Sequence, residues 1–161
     1  MHSQHYLPLA YKNDILMGGG MKKLLVLGLF TSVVFAAETP LDPFSSSLEF
    51  AQVINVNAIQ SKDDSWCFNT KVRHNDQGWQ HYADAWKITD LKGNVLAIRE
   101  LAHPHDNEQP FTRSLCNIKL PKALMQVVVS AQCNVHGVGS QNVMVDLSKL
   151  KGKEFTVKRA N

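Results

Sequence analysis

"WCFNTKVRHNDQGWQHYADAWKITDLKGNVLAIRE", residues 66–100, runs through three stretches of alternating apolar and polar side chains and breaks at "NDQG" and "DLKGN". Alternation with period two is the pattern of a half-buried strand, and Gly beside Asn or Asp between the runs is turn chemistry. In the first run Trp66, Phe68 and Val72 share one face, while Asn69, Lys71 and Arg73 share the other. The same grammar recurs outward from this stretch. Runs at 48–59, 66–74, 81–89, 95–102, 111–120, 127–134 and 143–147 are separated by "SKDD", "NDQG", "DLKGN", "HPHDNEQP", "PKAL" and "HGVGSQ". Without a convincing amphipathic helix, this spacing predicts an all-β domain over residues 48–161. The expected fold is a single antiparallel β-sandwich, immunoglobulin-like, of about seven strands.

The spacing of Cys67, Trp86 and Cys133 is similar to that of immunoglobulin domains, where a Trp stands between two bridged cysteines. Alternation argues against that bridge. Cys67 falls on the polar face of its run and Cys133 on the apolar face of its own, whereas a core disulfide needs both Cβ atoms directed inward. Three cysteines, Cys67, Cys116 and Cys133, allow one disulfide in an oxidising compartment and leave one thiol over, and their spacings fit no CxxC redox or zinc motif.

The leader points to that compartment. From Met21, "MKKLLVLGLFTSVVFAAETP" supplies two lysines, an apolar run and small residues at Val34 and Ala36, the layout of a secretory signal peptide over 21–36. The run is too short for a hydrocarbon core that needs about 20 residues. No Cys follows the cleavage site, so a lipid anchor is not expected. Residues 1–20 fit neither a signal peptide nor a folded element. Three glycines just before Met21 are what a purine-rich ribosome-binding site gives when read as protein, so 1–20 is expected to be a mis-annotated upstream extension. Residues 37–47 read as a Pro/Ser linker.

Three of the 17 Lys+Arg (Lys12, Lys22, Lys23) and one of the 14 Asp+Glu (Asp14) precede Ala37, leaving a nearly neutral 14 against 13. The basic tail "KLKGKEFTVKR" is interrupted by Glu154, Phe155 and Val157. Nucleic-acid binding is therefore not expected, nor is a membrane span after cleavage.

Two features carry the site expectations. In the run 81–89, Asp84 is in phase with Trp86 and Ile88, so it should face the core and need a partner. Arg113, in phase with Phe111 and Leu115, is the expected one, making Asp84–Arg113 a structural polar pair. The second feature is the placement of histidines. In an antiparallel succession the connections alternate between two ends, and His74, His81, His103, His105 and His136 all fall at one of them. Trp79, Tyr82, Asp106, Asn107, Glu108, Gly137 and Gly139 gather there too. His103 and His105 at i, i+2 have usable metal-ligand spacing, with His81 or His136 supplying further nitrogens and Glu108 nearby. His74, beside a polar run, is the least favoured ligand. Cys133 stands three residues before His136 but faces inward, so no nucleophile is assigned. Ser114 with His and Asp makes a triad by composition only.

"HYADAW" and "HPHDNEQPFTRS", followed by a late "HG", resemble motifs of a family of small uncharacterised exported bacterial proteins. The resemblance spans residues 66–147 and falls on His81, Tyr82, Asp84, Trp86, His103, His105, Glu108, Gln109, Arg113 and His136. It implies a one-domain periplasmic or secreted protein and brings no assigned chemistry. The expected function is that of an exported binding or accessory protein whose His-rich end takes a transition metal, copper or zinc. The alternative is an interaction module that docks a partner protein or glycan without metal. An enzyme is the less favoured class.

Overall fold

The computed structural model describes residues 47–160. The expected signal peptide over 21–36, the expected upstream extension over 1–20 and residues 37–46 of the expected linker lie outside the described residues. The described chain folds into two packed sheets. Its strands are β1 (Gln52–Gln60), β2 (Trp66–Arg73), β3 (Ala83–Thr89), β4 (Val95–Glu100), β5 (Phe111–Ile118), β6 (Gln126–Cys133), β7 (Gly137–Val138), β8 (Val143–Asp146) and β9 (Phe155–Arg159). One sheet runs β5-β2-β1-β9; the other runs β4-β3-β6, with β7 and β8 both pairing β6. The all-β sandwich therefore stands. Among the described residues no helix is long and apolar enough to cross a membrane.

The inward faces are those that alternation selects. Phe68 and Val72 of β2, Val53 and Val56 of β1, Trp86 and Ile88 of β3, Val127 and Val129 of β6, and Val143 and Val145 of β8 are sealed between the sheets. Burial of this kind contributes roughly 1.5–3 kcal/mol for each large aliphatic or aromatic side chain.

Two strands were not expected. β7 is a two-residue piece inside the "HGVGSQ" connection. The basic tail supplies β9, whose Phe155 and Val157 point inward while Thr156 and Lys158 face out, and which pairs with β1 in parallel. The expectation of purely antiparallel pairing is corrected at this one edge. The last strand starts beside Val56, in the middle of the first, and runs with it away from the histidine end to finish beside Gln60.

Bulges account for the other departures. Between β2 and β5, Trp66 pairs with Ile118 and Phe68 with Leu115, so Cys67 faces two residues, Cys116 and Asn117. Asn117 takes φ 62°, a left-handed conformation that Asn tolerates better than most residues. Cys67 and Cys116 close the disulfide there, and Cys133 stays a free, buried thiol. Alternation was right to refuse a Cys67–Cys133 bridge.

In β3 the pairing with β6 jumps from Ala83–Cys133 to Ala85–Gln132, which makes Asp84 the extra residue of a bulge. Ala83 and Trp86 are both fully buried although they lie three apart. The bulge thus reverses the alternation, and Asp84 leaves the face of Trp86 and Ile88 for a shallow cleft shared with Tyr82, Lys87, Glu100 and Gln132. The expected Asp84–Arg113 pair does not form. Arg113 instead binds Glu108 (Nη2–Oε1 2.6 Å), while Asp84 Oδ1 has no hydrogen-bond partner. With both partners part-exposed, the Arg113–Glu108 bridge has the strength of a surface pair. Arg113→Ala is expected to cost about 0–1 kcal/mol in urea denaturation. A loss of about 3–5 kcal/mol, typical of a broken buried pair, would contradict this.

Candidate functional site

Four segments converge at the histidine end: the entry to β1, the β2–β3 connection, the β4–β5 connection and the turn after β6. Backbone-directed side chains tie them together. Asn134 accepts from the Tyr82 amide (2.9 Å) and donates to the Trp79 carbonyl (3.2 Å), and Asp106 accepts from the Gly78 amide (3.0 Å). Gly139 packs its backbone against the Ala51 carbonyl in a space with no room for a Cβ. Its role is in this close contact between chain segments.

Asp76 is the hub. Its side chain is fully buried. Oδ1 accepts from the Ala83 amide (3.0 Å) and meets His74 Nδ1 at 2.6 Å; Oδ2 accepts from the His105 amide (2.6 Å). One carboxylate thus ties the two ends of the β2–β3 connection to each other and to the β4–β5 connection. Although burial pushes its pKa up, these hydrogen bonds outweigh it and hold Asp76 below the usual carboxylate range.

With Nδ1 fixed by Asp76, His74 presents Nε2 inward, 3.1 Å from the Glu49 carbonyl oxygen. His136 Nδ1 approaches that same oxygen at 3.0 Å and His81 Nε2 at 3.2 Å. Cys133 Sγ lies 3.5 Å from the Glu49 carbonyl and 3.8 Å from His136 Nδ1, and it accepts from the His136 amide at 3.2 Å. His81 Nδ1 faces the Glu49 carboxylate at 3.6 Å. Two sets of donor atoms, His74/His81/Cys133 and Glu49/His81/His136, each lie within 4.8 Å of one another, and they share His81. Asp76 behind His74 reproduces the carboxylate–imidazole pairing that orients metal-binding histidines, while the Glu49 carboxylate stands beyond hydrogen-bond reach of His81.

Charge in this cluster is arranged in an opposed pair. Burial pushes the Cys133 thiol up, but hydrogen bonds from His74, the His136 amide and His81 outweigh it and bring its pKa down to about 6. Burial likewise disfavours a charged His74, yet Asp76, Cys133 and the Glu49 carbonyl raise it to about 9. At neutral pH the pair is a thiolate beside an imidazolium.

The stability consequence has opposite signs for the two groups. His74, raised from 6.5 to about 9, contributes fully below pH 6.5 and loses that contribution as pH rises through 9. Cys133, lowered from 9.0 to about 6, contributes fully above pH 9 and loses it as pH falls through 6. Between these limits His74 takes up on folding the proton that Cys133 gives up. The pair is expected to leave unfolding free energy nearly flat from about pH 6.5 to 9. Asp76, lowered, adds stability above the ordinary carboxylate value of 3.8 that disappears in acid. Urea melts across pH 3–9 check this: a steady slope across the neutral range would mean that the two shifts do not oppose each other.

The remaining predicted ligands lie in a neighbouring cluster. His105 is buried against the Phe111 ring, and its Nδ1 is engaged by Glu108 (2.7 Å) and by Arg113 Nη2 (3.1 Å). His103 is exposed and meets the Pro104 carbonyl at 2.9 Å. Its ring lies 4.5 Å from that of His105. Glu108, bound to Arg113 and His105, is held below its usual pKa by those contacts. Of the expected ligands, His81 and His136 enter the donor groups; His103, His105 and Glu108 do not. His74, least favoured from the sequence, is fully buried within them, together with Cys133 and Glu49. The signals for these were Cys-x-x-His at 133–136 and His-x-Asp at 74–76. The inward face of Cys133 was read correctly, and the candidate donor groups lie on the inside of this end of the sandwich.

No family model and no solved structure matches the chain. It is 36% identical over 99 residues to a protein of Halomicrobium mukohataei named "Putative lipoprotein", a match that takes in 62% of this chain and 48% of the relative. The chain therefore spans about half the length of the relative it matches.

Proposed function

We propose that the chain is an exported accessory protein of the cell envelope that binds a transition-metal ion, copper or zinc, through Cys133 and the histidines His74, His81 and His136. The observation that carries this is the pair of donor groups sharing His81, each with its ligand atoms within 4.8 Å. Bonds of about 2.0–2.3 Å to one central ion span such separations with small side-chain movements. The signal-peptide layout from Met21 and the lipoprotein name of the relative support export.

The order Cys133–His74–Asp76 also has the composition of a nucleophile relay. Cys133 is 2% exposed and His74 1% exposed, so a substrate carbonyl has no approach to the sulfur. Burial favours an ion over a reaction. The docking alternative has its own observation: Trp79 (64% exposed), Val135 and Val138 stand uncovered at the same end.

Titration of untagged protein with Zn(II) and Cu(II) tests the reading. A single tight equivalent is expected. Cys133→Ser and His136→Ala should each weaken it by more than the roughly 10–100-fold typical of losing an outer partner. His103→Ala should leave it unchanged. Binding abolished by His103→Ala and indifferent to Cys133→Ser would move the site to the exposed histidines. No binding by the wild type would leave the docking module.

A further inference from the structure

We propose that the metal of this site is copper, cycling between Cu(II) and Cu(I) as a buried one-electron relay. The inference rests on the metal-binding reading above and adds the identity of the ion and its use.

The donor set suits copper through the backbone oxygen beside it. A structural zinc site closes with four donors in a tetrahedron. Here Cys133 Sγ and the imidazoles of His74 and His81 lie within 4.8 Å of one another, and a neutral backbone atom, the Glu49 carbonyl oxygen, stands 3.0 Å from His136 Nδ1, 3.1 Å from His74 Nε2 and 3.5 Å from Cys133 Sγ. A thiolate with two imidazoles in a trigonal set, and a weak axial backbone oxygen, is the ligand arrangement of copper electron-transfer centres. Either His74 or the part-exposed His136 completes the trigonal set with His81 and Cys133; the other remains beside it.

The surroundings fit electron transfer better than substrate chemistry. Cys133 ends β6 with its sulfur sealed from solvent. Asp76 fixes the His74 ring from outside at 2.6 Å, and His81 is packed edge-on between the rings of His74 and His136, so the same donors can serve both oxidation states with little rearrangement. His136 is only half-buried, with exposed Val135 before it, and gives the ion its edge toward solvent. The step is Cu(II) plus one electron from a one-electron protein donor, giving Cu(I). The reverse step hands that electron to a one-electron protein acceptor. No ligand bond is broken and no proton moves.

The test adds Cu(II) to the metal-free, disulfide-intact full domain and records visible absorption, electron paramagnetic resonance and reduction by ascorbate. Expected is an intense sulfur-to-Cu(II) charge-transfer band that ascorbate bleaches with one electron per copper and ferricyanide restores over repeated cycles. Cys133→Ser should lose the band. Should that variant not fold, Co(II) bound to the wild type should show sulfur-to-Co(II) charge transfer and report the same ligand. Tight Zn(II) or Cu(II) binding without a charge-transfer band, or Cu(II) that oxidises the thiol irreversibly, overturns the relay and leaves the metal-binding reading intact. Failure to bind either ion overturns both.

Discussion

Asp76→Ala is expected to lower the unfolding free energy by about 3–5 kcal/mol, the loss typical when one half of a buried charged pair is removed. Asp76 is fully buried and serves three partners: His74 Nδ1, the Ala83 amide and the His105 amide. Without it the His74 imidazolium loses its counter-charge, and two amide donors lose their acceptor in a place water does not reach. Asp76→Asn should recover part of the loss, since its carbonyl oxygen can still accept one or two of these bonds but carries no charge. Urea denaturation of the three proteins measures the series. A loss within about 0.5 kcal/mol for Asp76→Ala, the range of ordinary surface substitutions, would mean that the hub does not hold the two connections together.

Loss of the Cys67–Cys116 disulfide is expected to cost about 4 kcal/mol, because it closes a loop of 49 residues in the unfolded chain. The bridge joins neighbouring strands β2 and β5 on the outward face of their sheet, so its removal leaves the core contacts of Phe68, Val72 and Phe111 in place. The effect should therefore come mainly from the unfolded state. Denaturation of the Cys67→Ser/Cys116→Ser double variant, compared with wild type, gives the value. Equal stability of the two would show that the bridge adds no constraint.

The strands were legible where both faces of a run differ. Residues 66–73 and 127–133 announce their inward sides, and their burial follows. β9 was hidden because lysines dominate "KLKGKEFTVKR", and the eye of composition sees charge before it sees Phe155 and Val157 two apart. Asp84 shows a different limit. Strict period two puts it with Trp86, and only the extra residue opposite Gln132 turns it away. A bulge of this kind depends on the partner strand's register, which one strand's own sequence does not contain. From the bulge follows the error about Arg113, whose actual partner, Glu108, stood five residues upstream.

The histidine end was legible from connection parity, but the choice among its histidines was not. His-x-His at 103–105 is conspicuous in the sequence, yet His105 is turned into a contact with Glu108 and Arg113, and His103 meets its neighbour's carbonyl. The donor groups instead join residues 49, 74, 81, 133 and 136 from separate segments. Their nearness arises from the crossing of β2 to β3 and from the turn after β6, so it is a product of tertiary structure. Cys-x-x-His at 133–136 and His-x-Asp at 74–76 were the local traces.

X-ray absorption of the protein loaded with one equivalent of Zn(II) tests the central claim most directly, because it counts ligand atoms around the ion without any substitution. The expected shell holds one sulfur at about 2.3 Å and two or three imidazole nitrogens at about 2.0–2.1 Å. A shell of nitrogen and oxygen alone would show that Cys133 is not a ligand and would contradict the site.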